Sequence, residues 1–179
     1  MNAPLILTVT LDDQSFAYFN QLRKQYFPPE RNFLYAHLTL FHHLPPNESS
    51  ILEEIDSLAN KQEEPLSQEE PLSLEITDVV SIGKGVAFKI ECPLLQKLHL
   101  LLQKKWQPWL TPQDKQKLWP HITIQNKVSP GIARQTLLQL KERFESFIAS
   151  GIGLSLYSYE GGPWQLVQHF PFQQSATTA

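Results

Sequence analysis

The sequence predicts a mixed α/β (α+β) fold, built as two interleaved lobes related by a pseudo-twofold axis. The first observation is a four-residue pattern that occurs twice, as His37-Leu38-Thr39-Leu40 and as His121-Ile122-Thr123-Ile124. The second is that each copy follows one helical pattern and precedes another, after which comes a pattern typical of a β-hairpin. The chain is therefore predicted to be a duplicated α-β-α-β-β unit, with antiparallel sheets around a central cleft.

The first half of the chain is predicted to hold a leading strand and the first copy of the unit. The apolar run Leu5–Leu11 predicts a strand, and Asp12 or Asp13 is placed to cap a helix that extends to about Gln25. Pro28-Pro29 ends that helix, because proline cannot continue it. The later elements are a strand over 33–41 with the first motif, a turn Pro45-Pro46-Asn47 with a capping residue, a helix over 48–60, and a hairpin of strands 72–81 and 85–91 around Gly83-Lys84-Gly85.

The second half repeats this order. The two hairpins open with the same three residues, about 35 and 33 positions after their motif histidines, which favours a duplication. The elements are a helix from Pro93 to about Trp106, a strand over 120–125 with the second motif, a helix from the cap Ser129 and the first-turn Pro130 to about residue 148, and a closing hairpin of strands 154–159 and 165–170 around Gly161-Gly162-Pro163.

Composition and charge limit the classes of function. The chain has 179 residues and a net charge of −3, and we expect one bilobal domain over 1–173 with a flexible tail over 174–179. Proteins that coat long nucleic acids carry a basic surface, so a small or terminal anionic ligand fits this chain better. Cys92 is the only cysteine, and no apolar stretch reaches membrane-spanning length. We therefore expect a cytoplasmic protein without membrane contact, and a monomer.

A second, shorter repeat has a different meaning. Residues 62–67 recur directly as residues 68–73, and both copies are acidic and contain a proline. This composition is typical of a solvated surface loop that was expanded in front of a strand. An acidic segment that binds a partner is the alternative.

Each motif places an imidazole and a hydroxyl side by side on one face of its strand. Side chains alternate along a strand, so His37 and Thr39 face one way while the aliphatic residues between and after them face the core. His121 and Thr123 are expected to repeat this arrangement. Two such strands at one cleft supply one group that takes a proton and one that gives a proton. Ordinary structural roles for these strand residues are the alternative.

The paired motifs, with Pro120 directly before the second, resemble those of the 2H phosphoesterase superfamily, and within it the 2′-5′ RNA ligase-like proteins and 2′,3′-cyclic phosphodiesterases. The resemblance covers nearly the whole chain. It implies that His37 and His121 are the catalytic acid and base, in an order left open, and that Thr39 and Thr123 hold phosphate oxygens. It also implies that no metal or other cofactor takes part, and that the partner is an RNA terminus or a small nucleotide with a cyclic phosphate.

The sequence departs from the family pattern in one place, and it offers several weaker candidates for substrate contact. Family members often carry an arginine shortly after the second motif, where this chain continues with Lys127, a point charge without the guanidinium fork. His43 has the strand parity of His37 and is a candidate for the cleft mouth, although a surface position at the strand end is the favoured interpretation. Tyr157 and Trp164 are candidates for stacking on a base, with core packing as the alternative.

The function expected from these observations is metal-independent opening of a 2′,3′-cyclic phosphate, with reverse 2′-5′ RNA ligation as the same path run backward. An enzyme acting on another cyclic phosphate, such as an ADP-ribose cyclic phosphate or a cyclic oligonucleotide, is the first alternative. A non-catalytic module that binds RNA ends is the second.

Overall fold

The computed structural model describes residues 2–60, 64–66 and 71–173. The expected tail over 174–179 and half of the acidic repeat over 62–73 lie outside the described residues. The elements in chain order are β1 (Leu5–Leu11), α1 (Asp13–Tyr26), β2 (Leu38–Leu44), α2 (Ser49–Ala59), β3 (Leu72–Ser81), β4 (Val86–Glu91), α3 (Pro93–Trp106), β5 (His121–Gln125), α4 (Pro130–Arg143), β6 (Phe147–Ser158) and β7 (Gln165–Pro171). After β1, this is the α-β-α-β-β order twice, which confirms the predicted duplication.

The seven strands of the described residues belong to one antiparallel sheet, in the order β2-β1-β6-β3-β4-β5, with β7 also paired to β6. The long strand β6 joins two arms of this sheet. Its C-terminal part pairs with β1 and β7, and its first residues pair with β3. The sheet curls into a half-barrel, so that β2 and β5, the outer strands of the two arms, come into contact.

The two copies of the unit exchange strands, which makes the lobes interdependent. The motif strand β5 of the second copy pairs with β4 of the first copy. The motif strand β2 of the first copy pairs with β1, and β1 pairs with β6 of the second copy. Each lobe therefore needs both copies, and the two motif strands end up at the two edges that meet.

The core anchors both motif strands from behind. Leu38 and Leu40 of β2 and Ile122 and Ile124 of β5 are at most 1% exposed, and they belong to one continuous apolar cluster. Burying one such side chain contributes about 1.5–3 kcal/mol. A shift of either strand by one residue would turn these side chains out of the core, so the same burial fixes the faces of the motif histidines and threonines.

Several predicted element boundaries are wrong. Strand β2 begins at Leu38 instead of residue 33, because its pairing with β1 ends at the Val9–Leu38 pair. Helix α4 ends at Arg143 instead of about residue 148, and β6 begins at Phe147 instead of residue 154, because residues 147–151 pair with β3. The N-cap of α2 is Glu48, which makes no capping side-chain bond, so Asn47 of the predicted turn does not cap it. None of the helices in the described part of the chain is both long and apolar enough to cross a membrane.

Candidate active site

The two motif histidines are held in the same way at the starts of their strands. The Nδ1 atom of His37 lies 2.8 Å from the carbonyl oxygen of Tyr35, and that of His121 lies 2.7 Å from the carbonyl oxygen of Trp119. A carbonyl oxygen only accepts, so Nδ1 is the donor in both bonds. In the neutral imidazole, Nε2 then carries the lone pair. Both rings therefore keep Nε2 as the atom that exchanges a proton with a ligand.

The motif threonines lie two positions further along the same faces. Thr39 and Thr123 are half-buried, whereas both chain neighbours of each threonine are buried in the core. Thr123 lines the same cavity as His37, although the two belong to different copies of the unit. The fold therefore places the threonine of the second motif and the histidine of the first motif on one cavity.

A tryptophan ring lies against each motif histidine. The ring centroids of His37 and Trp164 are 4.6 Å apart, and those of His121 and Trp119 are 4.1 Å apart with the planes only 23° from parallel. Trp164 comes from the turn between β6 and β7, and Trp119 lies two residues before His121. These apolar faces exclude water from one side of each imidazole.

Desolvation keeps both imidazoles neutral at neutral pH. Burial, together with the charges of Arg23, His121 and His42, lowers the pKa of His37 to about 4, and only the bond to Tyr35 opposes this shift. Burial also lowers the pKa of His121, which the bond to the Trp119 carbonyl opposes. Both rings are therefore ready to accept a proton in the free protein, and a bound anion would favour the protonated form of the ring next to it.

The cleft beside His37 is positively charged and aromatic. Its cavity of about 650 Å³ is lined by the cations Arg23, Arg31 and Lys127, and among the described lining residues there is no aspartate or glutamate. The aromatic rings of Phe33, Tyr159 and Trp164 also line it. In a chain whose net charge is −3, this concentration of positive charge favours an anionic ligand that carries a flat ring.

Residues 11–163 match the sequence model of the 2′-5′ RNA ligase superfamily. The chain belongs to this superfamily. Its members are 2H phosphoesterases, so the resemblance drawn from the two motifs is confirmed, and the chain belongs among enzymes that act on phosphoesters. No curated protein gives a sequence match.

Solved structures of other proteins share the fold. Escherichia coli LigT complexed with 3′-AMP is 16% identical, with a TM-score of 0.58 over 97% of this chain and 100% of that one. LigT complexed with NADP+ is 17% identical, with a TM-score of 0.55 over 97% and 100%. The protein TT0787 of Thermus thermophilus is 16% identical, with a TM-score of 0.60 over 96% and 99%. At such low identities the likeness shows the fold alone.

The weaker candidates for substrate contact lie in different parts of this 2H phosphoesterase. Lys127 and Trp164 line the large cavity, and Lys127 has a left-handed φ of 61°. Tyr157 lines a smaller cavity of about 290 Å³ that also borders His37, and its ring centroid is 5.7 Å from that of Trp164. His43 is exposed and lies outside both cavities.

The structure places His42, rather than the candidate His43, in the cleft, and His43 has the surface position that the sequence favours for it. The register between β1 and β2 shifts near Leu7, and as a result the consecutive residues Leu40 and Phe41 are both buried. Strict alternation therefore stops at this bulge, and a count of parity from His37 fails beyond it. His42 lines the large cavity together with His37.

A buried carboxylate orients His42. Asp114 is 2% exposed and accepts the backbone N–H groups of His42 and His43 at 2.9–3.0 Å, and its Oδ1 lies 3.2 Å from Nδ1 of His42. Burial alone would raise the pKa of Asp114, but these hydrogen bonds hold it below the ordinary value. Sequence reasoning missed this residue, because it lies between α3 and β5 in a stretch without periodicity or motif.

Arg23 is a further cleft residue that sequence reasoning missed. It is 3% exposed, although it lies in the last turn of α1, where a cation normally extends into solvent and complements the helix dipole. Nothing in the local pattern distinguishes it from Lys24, which follows it. Its burial depends on the docking of α1 against β5, which is a tertiary contact.

Proposed function

We propose that the protein opens 2′,3′-cyclic phosphates at RNA ends or on nucleotides, with His37 and His121 as a proton-transfer pair. The observation that carries this proposal is the matched anchoring of the two imidazoles. Each donates from Nδ1 to the carbonyl two residues before it, and each lies at the start of one of the two strands that meet at the cleft. Two histidines that each keep Nε2 for proton exchange are the equipment for general acid and base catalysis.

Hydrolysis of the cyclic phosphate needs no reactant other than water. One neutral imidazole takes a proton from water as the water oxygen bonds to phosphorus. The bond from phosphorus to one ribose oxygen breaks, and the other imidazole, in its protonated form, gives that oxygen its proton. The hydroxyls of Thr39 and Thr123 donate hydrogen bonds to the non-bridging oxygens, where negative charge increases in the transition state. In reverse ligation, a ribose 5′-hydroxyl takes the place of water.

The desolvation of the two rings supports one assignment of roles. The pKa of His37 is lowered the further, to about 4, so this ring is unprotonated at neutral pH and suits the base. The pKa of His121 is lowered less, which makes this ring the easier one to protonate once an anion is bound. We therefore propose His37 as the base and His121 as the acid for hydrolysis.

The cleft supports a nucleotide as the ligand. Its cations fit a phosphate group, and Trp164 and Tyr159 offer faces on which a base can stack. Structures of E. coli LigT, which has the same fold, contain 3′-AMP, ATP and NADP+. We therefore propose that this chain also binds nucleotides.

The test is a turnover assay with adenosine 2′,3′-cyclic monophosphate and with a short RNA that ends in a cyclic phosphate, both in the presence of EDTA. We expect the parent protein to form a monophosphate, and the His37→Ala/His121→Ala variant to form none. His43→Ala is the matched control, because it removes an exposed histidine of the same strand that lies outside both cavities, and it should keep parental turnover. Absence of turnover in the parent on both substrates would refute the proposal and favour another cyclic phosphate or a binding role.

A further inference from the structure

We propose that Arg23 is an anion-binding residue that holds the phosphoryl group of the ligand from beneath the cleft. The proposal rests on the proposed function only for the identity of the ligand. The observation behind it is a buried guanidinium that lines the cavity with His37 and Thr123 and has no carboxylate partner in the described part of the chain.

The positive charge of Arg23 is enclosed by neutral groups. Its Nε lies 3.2 Å from Oδ1 of Asn32, its Nη1 lies 2.8 Å from the carbonyl oxygen of Thr123, and its Cζ lies 4.3 Å from the centre of the Phe27 ring. Among the described residues, no carboxylate forms an ion pair with it. Burial lowers its pKa to about 10, so the group stays charged at neutral pH. Buried arginines are ordinarily paired with an anion, and here the described residues supply none.

The guanidinium contacts the second motif and shares a cavity with the histidine of the first motif. Its bond to the Thr123 carbonyl places it against the backbone of the second motif. Its charge lowers the pKa of His37, which places it near the imidazole of the first motif. It also lines the large cavity together with His37 and Thr123. A phosphoryl group held between the two motifs would therefore lie beside this cation.

The hydrogen-bonding capacity of Arg23 is only partly used. A guanidinium carries five N–H donors, and the described protein atoms accept from two of them, through Asn32 and Thr123. The remaining donors include the terminal nitrogen Nη2, and a planar fork of this kind matches two oxygens of a phosphate. Lys127, on the same cavity, is exposed and offers a mobile point charge instead. Arg23 is thus the better-organised phosphate ligand.

A purely structural role is the competing explanation, because Arg23 also ties α1 to β5. Two variants separate the explanations. Arg23→Met keeps the apolar stem and removes the charge, and Arg23→Lys keeps the charge and removes the fork. Arg134→Met, on the exposed face of α4, is the matched control for removal of a cation. Affinities for 3′-AMP and for adenosine are measured by calorimetry, because the two probes differ only in the phosphate.

We expect Arg23→Met to weaken the binding of 3′-AMP by about 10- to 100-fold, the range for a lost charged hydrogen bond. Adenosine binding should stay unchanged, Arg23→Lys should be intermediate, and Arg134→Met should match the parent. Equal losses for 3′-AMP and adenosine, or no loss for either together with a lower Tm, would overturn the proposal in favour of a structural tether.

A second measurement uses the parent protein alone and does not depend on the folding of any variant. The ¹⁵Nε–H signal of Arg23 should shift on addition of 3′-AMP and stay in place on addition of adenosine. An Arg23 signal that stays in place while the same sample binds 3′-AMP would refute the contact. Both measurements are binding assays, so a failure of this inference is distinguishable from a failure of the proposed hydrolysis, which is scored by turnover.

Discussion

The desolvated ring of His37 should lower the free energy of unfolding at acidic pH. Substitution of His37 should remove this pH dependence. The pKa of His37 is about 4 in the folded protein, against about 6.5 for the unfolded chain. The folded pKa is the lower one, so the unfolded chain binds the proton first as the pH falls. Stability is therefore unaffected by this group above pH 6.5 and decreases from there to about pH 4.

The size of the effect follows from the difference between the two pKa values. At pH 4 the unfolded chain is almost fully protonated at this position, whereas the folded protein is about half protonated. The loss of unfolding free energy is about 2 to 3 kcal/mol, where the lower figure allows for solvent at the half-buried ring. His37→Gln stays neutral at every pH, so this variant should lose that much less stability between pH 7 and pH 4 than the parent.

The assay is urea denaturation at pH 7, 6, 5 and 4, with His43→Gln as the control for the loss of an exposed histidine. The control should follow the parent at every pH. An NMR titration of the His37 ring gives the folded pKa directly. A measured pKa near 6.5, together with parallel stability curves for the parent and His37→Gln, would refute the claim that burial governs this imidazole.

Other predictions concern the support of the site and its chemistry. Asp114→Asn should lower the free energy of unfolding by about 1–3 kcal/mol in urea denaturation, because two backbone N–H groups and His42 lose a charged acceptor. Gly85→Ala should lower Tm and activity together, because a Cβ there would lie 1.9 Å from the carbonyl oxygen of Gln125 on the second motif strand. Trp164→Ala should raise KM for a cyclic nucleotide in steady-state kinetics, because a stacking face is lost. Turnover measured with EDTA should equal turnover without it.

Each of these predictions has a distinct contrary result. Unchanged stability of Asp114→Asn would mean that water replaces the carboxylate, and a Gly85→Ala protein with parental Tm would show that β4 and β5 can separate locally. An unchanged KM with a lower Tm in Trp164→Ala would assign that ring to packing. Loss of activity on chelation that a divalent ion restores would overturn the metal-independent mechanism.

Local signals were enough to predict much of the fold. The alternation around His37 and His121 predicted which residues enter the core, because the period of a strand fixes its faces. The boundaries of β1, β3 and α3 were predicted closely, since an apolar run, a hairpin turn and the first-turn Pro93 mark them in the sequence itself. The duplication was predicted from the repeated order of elements, which is also a pattern in the sequence itself.

The parts that the sequence did not predict depend on contacts between distant segments. The start of β6 is set by its pairing with β3, which overrides a helical pattern, and the bulge in β2 that turns His42 into the cleft is set by its pairing with β1. Arg23 and Asp114 become parts of the site only through tertiary burial. The domain boundary at residue 173, the cytoplasmic location and the monomeric state stay predictions.

The most direct test of the two-histidine account is a comparison of His37→Ala, His121→Ala and the double variant in single-turnover ring opening of one cyclic phosphate. Two groups that transfer protons in the same step act as a unit, so their losses do not multiply. We predict that each single variant loses about 10²- to 10⁴-fold in rate and that the double variant is no slower than the slower single one. Parental rates in either single variant, or losses that multiply in the double variant, would contradict a paired mechanism.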